Sequence, residues 1–238
     1  MHAAGRRRGY ALVDVLVSLA VICVLISMLA PSMAAVHETS RLVVCRSAMR
    51  QHGVGIALYA QDWNGMLPPT VFVRGAMPRP QETITLRRHL APGRAAWDGL
   101  GTLYAGAYLE APRIFYCPSQ RGPGTFHAAA PAWSTGDAEL VGNYQYRGEG
   151  PGRERHLAAI DPARAALAAD SLRDPQEYNH RVGANVLRAD LSADWFNDLL
   201  GSAFSARGTA STRVTLAWRA LDLAAGAATD GAGHRGGR

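Results

Sequence analysis

The chain has 238 residues, 48% of them hydrophobic and 18% charged, with a formal charge of +6; this balance excludes a chain disordered as a whole and fits one sizeable domain with accessory segments. All 25 basic residues are Arg, and apart from Arg6, Arg7 and Arg8 they are scattered, with no basic patch interleaved with aromatics, so no nucleic-acid partner is expected. The chain carries no G-x-S-x-G, no H-E-x-x-H and no phosphate-binding glycine loop, so it is not read as an enzyme and no cofactor is expected.

Residues 1–9 form a short basic leader, and from Tyr10 to Ala30 the chain is apolar over 21 residues apart from Asp14, Ser18 and Ser27. At about 1.5 Å per residue such a helix reaches across a hydrocarbon core, and the three arginines hold the leader on the cytoplasmic side. A secretory signal peptide cut after Ser32-Met33-Ala34 shares the basic start and the small residues. Its apolar core, however, usually runs only about 7–15 residues, and here helical patterning continues past the cut. Asp14 asks for a partner, because a carboxylate costs about 2.5–3.5 kcal/mol at a membrane helix centre and less near its end.

From Leu42 the positions Leu42, Cys45, Met49, His52, Ile56, Tyr59 and Trp63 recur at spacings of three and four, which predicts a helix with one buried stripe. Arg41, Arg46 and Arg50 fall off that stripe. One long helix is therefore expected from about Tyr10 to about Ala60, stopped by Asn64-Gly65 and the pair Pro68-Pro69. Gly53 and Gly55 are expected to loosen its last turns, and His52 to be a core-edge histidine rather than a ligand.

Further along, Ile114 to Ser119 predicts a strand and turn and Asn143 to Tyr146 a second strand, with 121–137 and 147–155 as surface loops. Ala165 to Asp170 predicts a strand ending in a carboxylate. His180 to Asp190 follows after a loop. Thr212 to Leu221 reads equally as strand or helix, and the Gly- and Ala-rich stretch 223–238 reads as a disordered tail. In an exported protein Cys45 and Cys117 are candidates for a disulfide, the alternative being two unpaired small hydrophobes; Cys23 lies in the apolar run. Asp170, His180 and Asp190 are candidate metal ligands, the alternative being polar groups that bond loop backbones and fix a turn.

The run Arg8-Gly9-Tyr10-Ala11-Leu12-Val13-Asp14 resembles the class III leader of type IV prepilins and type II secretion pseudopilins. The resemblance implies cleavage between Gly9 and Tyr10 by a prepilin peptidase and methylation of the Tyr10 amine. It also implies that Asp14, where the family has Glu, neutralises that amine on a neighbouring subunit. Cys45 to Gln51, Tyr59 to Gly65 and Ile114 to Ser119 resemble the C-x-x-N-L-R-Q, Y-A-x-D-N-x-G and F-x-C-P-S elements of a large group of prepilin-type proteins common in planctomycete-like genomes. His180 to Asp190 resembles that group's H-x9-D-G signature, except that Leu191 stands where the group has Gly, which puts a turn of positive φ in doubt.

The expected fold is α+β and pilin-like, with a long N-terminal helix, transmembrane over about 10–33, packed through its second half on a small antiparallel sheet head. The expected organisation is leader 1–9, helix 10–64, periplasmic head 65–222 and tail 223–238. The resemblance implies a single-pass inner-membrane protein that becomes a structural subunit of a type II secretion or type IV pilus-type filament. Its partners would be the prepilin peptidase, other pilin-like subunits, the secretion machinery and inner-membrane lipids. The alternative is a membrane-anchored or secreted enzyme or carbohydrate-binding module that uses the helix only for export.

Overall fold

The computed structural model describes residues 12–71, 84–91, 93–121, 124–171, 179–180, 183–197 and 214–224, without the side chains of 29–32, 34 and 35. The leader, Gly9, Tyr10 and the chain beyond 224 lie outside the described residues. Among the described residues the fold is α+β, with one long N-terminal helix, several short ones and two antiparallel sheets.

Helix α1 runs Leu12–Asp62. The chain divides into two compact units, Met1–Ser40 and Arg41–Arg238. In the first, Leu12 to Met28 are all exposed, among them Leu12 at 77% and Met28 at 69%. Among the described residues no helix is long and apolar enough to cross a membrane. The expected span of about 10–33 extends past the described side chains at both ends, since they run unbroken only from Leu12 to Met28.

In the second unit, the predicted stripe on α1 becomes core: Cys45, Met49, His52, Ile56 and Tyr59 are buried. Trp63 departs from it, because it follows the helix end at Asp62 and lies exposed, stacked on Tyr59 with ring centroids 5.5 Å apart. The helix stops where the sequence places the stop. Asn64 and Gly65 both have positive φ, 49° and 76°, and the Gly65 N–H bonds the Ala60 carbonyl at 2.7 Å, closing the last turn with a left-handed pair. Gly53 has a different role from the expected loosening. A Cβ there would lie 3.0 Å from Leu187 Cδ1 and 3.2 Å from the Leu191 carbonyl oxygen, so the glycine lets α1 approach the second sheet closely.

The first sheet is ordered β2-β1-β3, from β1 (Thr85–Ala91), β2 (Arg94–Trp97) and β3 (Leu140–Val141). Between β2 and β3 lie helix α2 (Gly101–Ala105), a 3-10 turn at Pro112–Phe115 and helix α3 (Phe126–Ser134). Two expectations fail here. Ile114 to Ser119 is not a strand: Pro112 opens the 3-10 turn, and Pro118 cannot donate to a ladder, so the apolar run Ile114 to Cys117 is buried without strand pairing. Part of the expected loop 121–137 is α3, capped by Thr125 Oγ1, which accepts from the Ala128 N–H, and anchored by Trp133 against Phe115 and Tyr104.

The second sheet is ordered β4-β5-β6-β7, all antiparallel, from β4 (Tyr144–Tyr146), β5 (Ala166–Asp170), β6 (Gly183–Arg188) and β7 (Ala193–Asn197). Strands β5 and β6 are buried along their whole length, because both faces are covered. Leu167, Ala168 and Leu187 join the main core with α1, while Ala166, Ala169, Ala184 and Val186 pack on Val214, Ala217, Trp218 and Leu221. The last four belong to helix α4, residues 214–224, which decides the open choice between strand and helix and extends two residues into the expected tail. The β6–β7 turn forms despite the missing glycine: Leu191 itself takes φ 66°, and its N–H bonds the Arg188 carbonyl at 3.0 Å.

Candidate functional site

Four side chains that the sequence scatters over 136 positions converge where α1 meets the start of β4, the end of β5 and the approach to β6. Cys45 comes from α1, Cys117 follows the 3-10 turn one residue beyond the extended Tyr116, Asp170 ends β5, and His180 precedes β6. The sheet register does part of this work, since Tyr144 pairs with Asp170 across β4 and β5.

The Sγ atoms of Cys45 and Cys117, both free thiols, are 3.0 Å apart. The Cys45 thiol lies 3.2 Å from Asp170 Oδ1 and 3.2 Å from the Tyr144 hydroxyl. His180 Nε2 is 3.6 Å from Cys117 Sγ and 3.8 Å from Asp170 Oδ2. One donor atom from each of the four residues lies within 4.8 Å of the others, and all four residues are buried.

A shell of amides fixes the cluster. The backbone and side-chain N–H groups of Asn185 donate to Asp170 Oδ2 at 2.6 and 3.0 Å, and Asn179 Nδ2 donates to Oδ1 at 3.0 Å. Asn143 Oδ1 accepts from the Cys117 N–H at 3.0 Å, while its carbonyl accepts from Asn179 at 2.9 Å. The indole of Trp195 meets the His180 ring edge-on at 5.6 Å.

The surroundings shift the two thiols in opposite directions. Burial pushes the Cys45 thiol far up, reinforced by its hydrogen bond with Cys117 and the charge of Asp170. Burial also pushes Cys117 up, but hydrogen bonds from Cys45 and His180 outweigh it and bring that thiol down to about 7. Cys117 is therefore the more acidic of the two thiols. Burial likewise drives the Tyr144 hydroxyl well above its ordinary range, keeping it a neutral donor.

This arrangement is a poor nucleophilic relay. A relay needs acid and nucleophile on opposite ring nitrogens of the histidine, whereas Cys117 and Asp170 both approach Nε2. Two chemistries that the four donors themselves supply are a disulfide between the thiols and the binding of a cation.

The structure brings together Cys45 with Cys117, as the sequence proposes, and Asp170 with His180. It leaves Asp190 out: that residue is exposed in the β6–β7 turn, where its Oδ1 accepts from the Ser192 N–H at 2.8 Å. Asp190 thus fixes a turn, and the two cysteines take the place assigned to it. Tyr144, Asn143, Asn179 and Asn185 are the site residues that sequence reasoning missed; Asn143 and Asn185 could have been flagged as buried-strand amides, which need partners. Asp14 lies in the first turn of α1, exposed, where its carbonyl accepts from Ser18 Oγ at 2.7 Å. No family model, curated protein or solved structure matches the chain.

Proposed function

We propose that the chain is a prepilin-like subunit, processed between Gly9 and Tyr10 by a prepilin peptidase, anchored by its N-terminal helix in a bacterial inner membrane, and assembled through that helix into a type II secretion or type IV pilus-type filament. The observation that carries the reading is the state of Leu12 to Met28. Of these 17 residues only Asp14, Ser18 and Ser27 are polar, and all are exposed. A helix apolar on every side is stable only when covered, by lipid or by other helices.

The described run alone spans about 26 Å at 1.5 Å per residue, so Tyr10, Ala11 and the residues after Met28 are needed to fill a core of about 30 Å. In the bilayer and then in the filament, Asp14 neutralises the Tyr10 amine of a neighbour, since an ammonium and a carboxylate are each costly alone in low dielectric. The second half of α1 is built into the head through Cys45, Met49, Ile56 and Tyr59.

The test is Gly9→Ala in cells that hold a prepilin peptidase. The variant should accumulate at precursor size while the parent chain matures. A mature-size band from the variant would reject the proposal.

A further inference from the structure

We propose that Cys45, Cys117, Asp170 and His180 form a four-coordinate site for one divalent cation of the zinc class, which ties helix α1 to the second sheet. The inference stands on the head alone and does not depend on the filament reading.

The donor set comes first. Two thiolates, an imidazole and a carboxylate match the borderline-soft ligands that zinc takes in tetrahedral structural sites, and the sulfurs argue against calcium or magnesium, which take oxygen. Geometry is the second support. With metal–ligand bonds of about 2.0–2.3 Å, tetrahedral donors lie roughly 3.3–3.8 Å apart. Cys45 Sγ lies 3.0 Å from Cys117 Sγ and 3.2 Å from Asp170 Oδ1, Cys117 Sγ lies 3.6 Å from His180 Nε2, and one donor atom from each of the four residues falls within 4.8 Å of the rest, so an ion has only to draw the wider pairs inward and part the two sulfurs.

The surroundings are the third. Asp170 is 1% exposed, and Tyr144, Asn143, Asn179, Asn185 and Trp195, which pack around the cluster, are neutral. A buried carboxylate beside two thiols in such a shell is complemented by a cation. The Asn185 and Asn179 amides that clamp Asp170 are the outer-shell contacts that orient a metal-binding carboxylate. Cys117 also lines a groove bordered by Ser47 and Ala48 of α1 and by Tyr116 and Phe126, which gives an ion a route in.

A disulfide satisfies less of this. It has no thiol proton, so Asp170 Oδ1 would face the Cys45 sulfur at 3.2 Å with no hydrogen bond between them. Binding of the cation instead releases the thiol protons to water and places positive charge where Oδ1, Nε2 and both sulfurs point.

The experiment takes the full chain, purified in mild detergent without chelator, and measures its zinc content and its intact mass under non-reducing conditions. About one zinc per chain is expected, with both buried thiols protected from alkylation until a chelator is added. Replacement by cobalt(II) should give the absorption of a tetrahedral site with sulfur-to-cobalt charge transfer. Asn185→Ala, which touches no metal, should weaken zinc binding about 10–100-fold while leaving the charge-transfer bands in place. A metal-free chain lighter by two hydrogens, with no free thiols at Cys45 and Cys117, would overturn the proposal in favour of a disulfide. A chain whose free thiols take up neither zinc nor cobalt would overturn it as well.

Discussion

His52 is fully buried against Phe115 and Tyr144, with ring centroids 5.3 and 5.0 Å away, and neither of its nitrogens has a hydrogen-bond partner. Burial lowers its pKa to about 3, from an ordinary 6.5. The unfolded chain therefore takes up a proton that the folded one refuses. His52 does not weaken the fold above pH about 6.5, and its cost grows by about 1.4 kcal/mol per unit as pH falls towards 3. In His52→Leu that part of the acid sensitivity should vanish. Between pH 6.5 and 5 the parent should lose about 2 kcal/mol more than the variant, followed by near-ultraviolet circular dichroism on heating. Equal losses in the two chains would show that His52 is not the residue that titrates. Leu191 shows a second residue-scale conflict. A branched side chain at positive φ costs roughly 1–2 kcal/mol, offset here by its packing on the core next to Gly53.

Among the elements, α4 shows most directly how composition sets packing. Ala166, Ala169 and Ala184 leave room on the outer face of β5 and β6, and Trp218, 3% exposed, fills it. Arg147 lies over the Trp218 ring at 5.7 Å and pairs with Asp222 at 2.8 Å, while Asp222 Oδ1 accepts from the Ala166 N–H. Trp218→Ala should therefore cost about 3–5 kcal/mol, whereas Trp218→Phe, which removes an indole N–H that has no partner, should cost under about 1.5 kcal/mol. Chemical denaturation of the full chain in detergent would measure both. A cost below 1 kcal/mol for the alanine variant would mean that α4 is not part of the cooperative core.

The stretch Thr212 to Leu221 stayed open between strand and helix although Val214, Ala217, Trp218 and Leu221 have the spacing of one helix face, whereas α1, its stop at Asn64-Gly65, and strands β4 to β6 were legible. Periodicity and turn chemistry are local, and they survive without knowledge of the fold. The segment Ile114 to Ser119 misled because a buried apolar run reads as a strand whether or not a partner strand exists. Helix α3 was hidden by Pro131 inside it and by Gly and Pro before it. At the site, Cys45 with Cys117 and Asp170 with His180 were each legible as pairs. Their convergence was not, because it depends on where α1 crosses the sheet, and Asp190 was favoured by its position in a motif while the fold turns it outward.

At the scale of the whole molecule, the chain holds two compact units, Met1–Ser40 and Arg41–Arg238. Arg41–Arg238 has a dense core, two sheets and a clamped polar cluster. The helical stretch of Met1–Ser40 exposes almost nothing but apolar side chains over Leu12 to Met28. Such surface is a liability in water and an asset in a bilayer or a bundle of like helices. The measurement that bears on this most directly is mass spectrometry of the mature N-terminus from membranes of expressing cells. A chain beginning at N-methylated Tyr10 and still carrying Leu12 to Met28 is the expected result; a chain beginning near Ala35, with the apolar helix cut away, would contradict it.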